Sequence, residues 1–71
     1  MENLPRTYAE AKVMGYAAGR ESWQRGYVSR KANIDNQPVH IAGGKMKGKI
    51  YILAPSWRSS QYCKRIYLIK K

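Results

Sequence analysis

Fourteen Lys and Arg against four acids give this 71-residue chain a net charge of +10, and it holds a single cysteine. The length admits one small domain, burying only about 60% of the surface its unfolded chain exposes, and excludes a multidomain enzyme. One thiol argues against a disulfide-bridged secreted scaffold, and no apolar stretch approaches the roughly 20 residues of a membrane-spanning helix.

The opening MENLPRTYAEAK lacks the basic-then-apolar run of a signal peptide, so a soluble cytoplasmic protein, residues 1–71 as one basic domain, is expected. After Leu4-Pro5-Arg6, the run Thr7-Tyr8-Ala9-Glu10 matches a capping box. Thr7 would accept from an orphan amide of the first turn, and Glu10 would reach back to the Thr7 amide. The proline-free AKVMGYAAGRESWQR then predicts a helix to about Arg25, stopped by Gly26. Its Glu21 precedes Arg25 by four residues, the favourable order for a helical ion pair. Ala11, Gly15, Ala18 and Ser22 make a stripe of small residues with Tyr8 and Gly19 beside it. Two glycines inside a helix each cost about 1 kcal/mol against Ala, so close docking on a sheet, or a helix–helix dimer contact, is expected to offset them.

Beyond Gly26 the pattern shortens. Tyr27 to Lys31 fits either a weak strand or more helix, and Asn33-Ile34-Asp35-Asn36 is turn chemistry. Pro38 to Ala42 predicts a strand, with Pro38 at its first position or an edge. Gly43 to Gly48 predicts a loop, Lys49 to Leu53 a strand ended by Ala54-Pro55, Ser56 to Gln61 a polar connector, and Tyr62 to Lys70 the strongest strand. The expected fold is α+β: one N-terminal helix packed on a three- or four-stranded antiparallel sheet.

GGKMKGKI, residues 43–50, nearly spells a phosphate loop, since Gly43, Gly48 and Lys49 fit G-x-x-x-x-G-K. The fit fails in context. Ile50 replaces the magnesium-binding hydroxyl, and KIYIL is a strand pattern where a helix should start. A glycine-permitted hairpin tip explains the stretch better. Lys45, Lys47 and Lys49 then project from an exposed end, on one side if the segment is extended.

Alternation sorts the strands into two faces. Val39, Ile41, Ile50, Ile52, Ile66 and Leu68 are aliphatic and fit under the helix. His40, Tyr51, Leu53, Cys63, Arg65, Tyr67 and Ile69 share the other face, with no second helix to cover it. Three uses fit that face: a base-stacking platform of Tyr51 and Tyr67 with Arg65 near a phosphate, a homodimer interface through Leu53 and Ile69, or packing under the connector with Trp57 as a lid. In architecture alone it resembles sheet-platform binders such as the RNA-recognition motif; that family's aromatic consensus and second helix are absent.

Catalysis has little to work with. One His and one Cys cannot make a zinc site. A Cys63–His40 nucleophile pair would share a face, but no carboxylate follows Asp35 to orient it. A metal-independent ribonuclease using His40, Arg65 and Lys64 is the least unfavourable enzyme; a non-enzyme without cofactor is the expectation. From Asn36 onward Lys45, Lys47, Lys49, Arg58, Lys64, Arg65, Lys70 and Lys71 meet no acid. Such a field attracts polyanions. Nucleic acid, RNA or DNA, is the expected partner, met by Lys45, Lys47, Lys49, Arg58, Lys64 and Arg65 at phosphates and by Tyr51 and Tyr67 at bases. The rival is a small inhibitor docking on an acidic protein surface, and short basic single-cysteine chains resemble products of phages and other mobile elements. No membrane partner is expected, because the Ala/Gly stripe is too thin for lipid.

Overall fold

The computed structural model describes residues 4–29, 33–56, 58 and 61–70. Helix α1 spans Tyr8–Val13, and strands β1 to β4 span Tyr16–Arg25, His40–Ile41, Ile50–Pro55 and Tyr62–Lys70. Short 3-10 turns occupy Ile34–Asn36 and Gly44–Met46. The strands form one sheet in the order β1-β4-β3-β2, with every adjacent pair antiparallel. The expected α+β layout is present, with four strands and the helix N-terminal to them.

The helix is far shorter than its sequence predicts, and the shortfall becomes a strand. Gly15, at φ 97°, stops it, a left-handed position that glycine adopts without steric cost. The Met14 amide bonds the Glu10 carbonyl and the Gly15 amide bonds that of Lys12, each closing the last turn. From Tyr16 the chain pairs along almost the whole of β4, Tyr16 opposite Lys70 and Arg25 opposite Tyr62. The helical preference of AAGRESWQR amounts to tenths of a kcal/mol per residue and is already reduced by Gly19. A long ladder that gives central β4 its second partner outweighs it.

Two expectations fall with that helix. The small-residue stripe does not exist: Ala11 is fully buried on the inner side of α1, while Gly15 has open space around its missing side chain. Nor do Glu21 and Arg25 pair, since four residues along a strand span about 13 Å. Glu21 instead lies 3.6 Å from Lys64 on β4.

Gly19 has a packing role of a different kind. Ala18 faces Leu68 and Glu21 faces Ile66, three steps against two, so β1 carries one extra residue as a bulge. A side-chain carbon on Gly19 would sit 3.0 Å from the Tyr67 carbonyl oxygen and 3.2 Å from Ile69 Cγ2. Glycine lets the bulge lie close against β4.

The cap at the start of α1 is half as predicted. Thr7 Oγ1 accepts from the Glu10 amide at 3.3 Å, but the Glu10 carboxylate accepts from the Arg6 amide at 2.7 Å, one residue before the expected one. The Thr7 region is engaged elsewhere: Val39 donates to the Arg6 carbonyl and Tyr8 to that of Gln37, forming an isolated bridge at Thr7 and Pro38. Lys12 Nζ reaches Asp35 at 2.6 Å, tying α1 to the first 3-10 turn, and this hydrogen bond raises the lysine pKa above its ordinary value. In that turn the Asn33 side chain accepts from the Asp35 amide, as the turn chemistry predicts.

Beneath α1 the core joins Ala11 to Ile50, Ile52, Ala54, Ile66 and Leu68, with Tyr8, Tyr16 and Val39 packed against it. These are the aliphatic positions that alternation selects. Ile41 is the exception, 63% exposed, because β2 is a two-residue edge strand and the short helix does not reach over it. The strand expected over Pro38 to Ala42 shrinks accordingly. Residues 27–29 are not strand, while Arg30, Lys31 and the Trp57 lid lie outside the described residues. No described helix is long and apolar enough to cross a membrane.

Candidate nucleic-acid interface

The sheet face opposite α1 carries one row of polar rings and a cation, contributed by β2, β3 and β4. His40 on β2 sits opposite Tyr51 on β3, and Tyr51 opposite Tyr67 on β4. Each pair projects to the same side, so the rings meet. His40 and Tyr51 stack with centroids 5.3 Å apart and planes at 26°, and Tyr51 meets Tyr67 edge-on at 5.8 Å and 63°. Such aromatic pairs add about 0.5–1.5 kcal/mol beyond their burial.

Arg65 completes the row. Two residues from Tyr67 on β4, it lays its guanidinium carbon 4.3 Å from the Tyr51 ring centroid and 6.0 Å from that of Tyr67. Nε donates to Gln24 Oε1 at 2.7 Å, Nη2 donates to the same oxygen, and Nη1 donates to the Tyr67 hydroxyl at 3.2 Å. The hydroxyl contact, foremost, raises the Arg65 pKa above its ordinary value, since an acceptor favours the charged form. Gln24 is neutral, so the charge is held in place without being cancelled. Reading residues 16–25 as helix hid this partner: only once they form β1 does Gln24, opposite Cys63, reach the row.

The row faces no described carboxylate. Glu10 bonds the Arg6 amide, Glu21 lies beside Lys64, and Asp35 holds Lys12. Tyr67 is more enclosed than the sequence suggests, only 8% exposed, and Arg65 and Tyr51 are half-buried. The less enclosed part of the row is therefore His40 and the Arg65–Tyr51 stack, with Tyr67 enclosed.

The predicted cations do not form one surface. Lys45, Lys47 and Lys49 are all exposed at the β2–β3 connection. That tip is not extended: Gly44–Met46 is a 3-10 turn with Gly44 at φ 63° and Gly48 at φ 88°. At about three residues per turn, alternate positions diverge, so the three lysines do not share a side. Lys49 precedes β3 by one residue and continues the alternation of Tyr51 and Leu53, which joins the tip to the row. Lys64 projects to the opposite face from Arg65. With Arg58, Glu21, Ser22, Trp23 and Ser56 it borders an open depression of about 480 Å³. Arg58 is exposed there, its amide donating to Ser56 Oγ at 3.2 Å.

Cys63 and His40 are not brought together. Cys63 is four residues, about 13 Å, from Tyr67 along β4, while His40 lies two strands across from Tyr67. Cys63 is 1% exposed, its thiol directed to the Gln24 carbonyl at 3.6 Å. Burial pushes its pKa up, which keeps it a protonated, poor nucleophile. Among the described residues no three His, Cys, Asp or Glu cluster as metal ligands. No protein-family model, curated protein or solved structure matches the chain.

Proposed function

We propose that this protein is a small binding module for single-stranded nucleic acid, gripping phosphates with the lysine tip and stacking bases on the sheet face opposite α1. The observation that carries the reading is the His40–Tyr51–Tyr67 row with the Arg65 guanidinium laid over it. Two features support it: no described carboxylate faces the row, and Lys49 joins it to the tip. Aromatic faces accept any base and are worth about 1–3 kcal/mol per stacked base, while cations beside them track the backbone. A net charge of +10 brings such a strand in quickly and makes binding salt-dependent.

Arg58 and Lys64 belong to a different part of the surface, so the interface is Lys45, Lys47, Lys49, Tyr51, Arg65 and Tyr67, with His40 added. The row is narrow enough for one or two bases, which favours a strand with free bases over a closed duplex.

The deciding experiment is equilibrium titration of a fluorescent single strand, at rising salt, against an acidic protein of similar charge as competitor. Saturable binding that falls linearly on a log–log salt plot, and that Tyr51→Ala weakens, supports the proposal. Displacement by the acidic protein at equal charge, with Tyr51→Ala binding as the parent does, shows general polyanion attraction and favours an acidic protein surface as the partner.

A further inference from the structure

We infer that Arg65 reads the edge of a guanine base in the bound strand. The inference rests on the nucleic-acid reading above and adds a base preference to it. Three of the five guanidinium N–H groups are used within the protein: those on Nε and Nη2 meet Gln24 Oε1, and one on Nη1 meets the Tyr67 hydroxyl. The two that are left belong one to each Nη nitrogen. Among the described residues no acceptor meets either of them. One remaining donor on each terminal nitrogen is the number that a pair of adjacent acceptors takes.

Two acceptor pairs in a nucleic acid fit that chemistry, the O6 and N7 atoms of guanine and two oxygens of a phosphate. Three observations favour guanine. A phosphate is also satisfied by a point charge, and the exposed Lys49 supplies one beside the row. Arg65 is instead fixed in plane by two neighbouring side chains, an arrangement that matters for a planar, directional acceptor. Its guanidinium also lies 4.3 Å over Tyr51, so a base hydrogen-bonded to it is brought to the same aromatic row. Gln24 is on this account a positioning residue, which aims the fork without touching the ligand, and the Tyr67 hydroxyl aims it from within the row.

The test uses a thymidine oligonucleotide of about ten residues, a length within the usual range for such sites. One central thymine is replaced in turn by guanine, hypoxanthine, 7-deazaguanine or adenine. Guanine and hypoxanthine both present O6 and N7 and are expected to bind about tenfold more tightly than thymine alone, the equivalent of about 1.4 kcal/mol. The 7-deaza base lacks N7 and is expected to lose most of that gain. Arg65→Lys keeps the charge without the fork and should bring the ratio of guanine-strand to all-thymidine-strand affinity, read within the variant, to about one, whatever its affinity for either strand. If that variant fails to fold by circular dichroism, the 7-deaza comparison on the parent protein decides.

Equal affinity for all five strands would overturn the guanine inference, make Arg65 a phosphate contact and leave the proposed function standing. A guanine preference that survives in folded Arg65→Lys would overturn Arg65 as the reader. Failure to bind any strand would overturn the proposed function, and this inference with it.

Discussion

The Arg65 guanidinium lies over the Tyr51 ring, 4.3 Å from its centroid, so the cation and the aromatic occupy one surface and respond to substitution together. Tyr51→Ala removes the ring on which the guanidinium and His40 stack. Single-strand binding should weaken by about 1–3 kcal/mol, read by anisotropy, with the fold retained because Tyr51 is only half-buried. Tyr67 calls for a milder change. It is 8% exposed, and truncating a buried aromatic to Ala costs about 3–5 kcal/mol, a large part of what a small domain has. Tyr67→Phe keeps the packing and removes only the hydroxyl that accepts from Arg65. It should lower single-strand affinity less than Tyr51→Ala and leave the denaturation midpoint close to the parent's. Equal losses for the two variants would show that the hydroxyl, not the stack, governs binding.

The lysine tip gives a separable electrostatic signal. Changing Lys45, Lys47 and Lys49 to Ala should reduce the magnitude of the salt slope by about 0.7 for each phosphate of a single strand that the tip no longer neutralises. Because the 3-10 turn sends these side chains apart, the total drop should fall short of three phosphates' worth. Lys49→Ala alone should carry the largest share. An unchanged slope in the triple variant would remove the tip from the interface.

Gly15 and Gly19 are needed for different reasons, and stability measurements separate them. Gly15→Ala meets no atom but must hold φ 97°, at a cost of about 1–2 kcal/mol. Gly19→Ala drives a carbon against the Tyr67 carbonyl and Ile69, an overpacking cost of about 1–3 kcal/mol. Adding Ile69→Ala should recover part of the Gly19→Ala loss and none of the Gly15→Ala loss, read from denaturant midpoints as a double-mutant cycle. Additive losses at Gly19 and Ile69 would place the strain elsewhere.

Cys63 should titrate late. Burial raises its folded-state pKa above the ordinary 9.0, so folding disfavours the thiolate. The stability contributed by the neutral thiol is complete below pH about 9 and is lost as pH rises through the raised value. Thiolate absorbance in the native protein should therefore have its midpoint above that of the denatured chain. The stability difference between the parent and Cys63→Ala should narrow as pH passes 9. A native midpoint at or below the denatured one would mean that the thiol is open to solvent.

Much of the sheet was legible because its signal is local. KIYIL and YCKRIYLIK alternate, imperfectly because Leu53 and Ile69 share the polar face, and alternation alone put Ile50, Ile52, Ile66 and Leu68 on the core face and Tyr51, Arg65 and Tyr67 on the other. Composition carried the charge, and the lysine-rich glycine turn was plain from GGKMKGK. The first 25 residues misled because YAAGRESWQR has no alternation to declare it a strand: most of its positions are exposed on both sides. Local propensity there slightly favours a helix, and only pairing with β4, some forty residues later in the chain, reverses it. That long-range ladder decided where α1 stops, gave Gly19 its tight fit against β4, parted Glu21 from Arg25, and set Gln24 beside Arg65. The residue types of the site were thus written in the sequence, whereas the orientation of its cation was decided by a strand pairing that no local pattern announces.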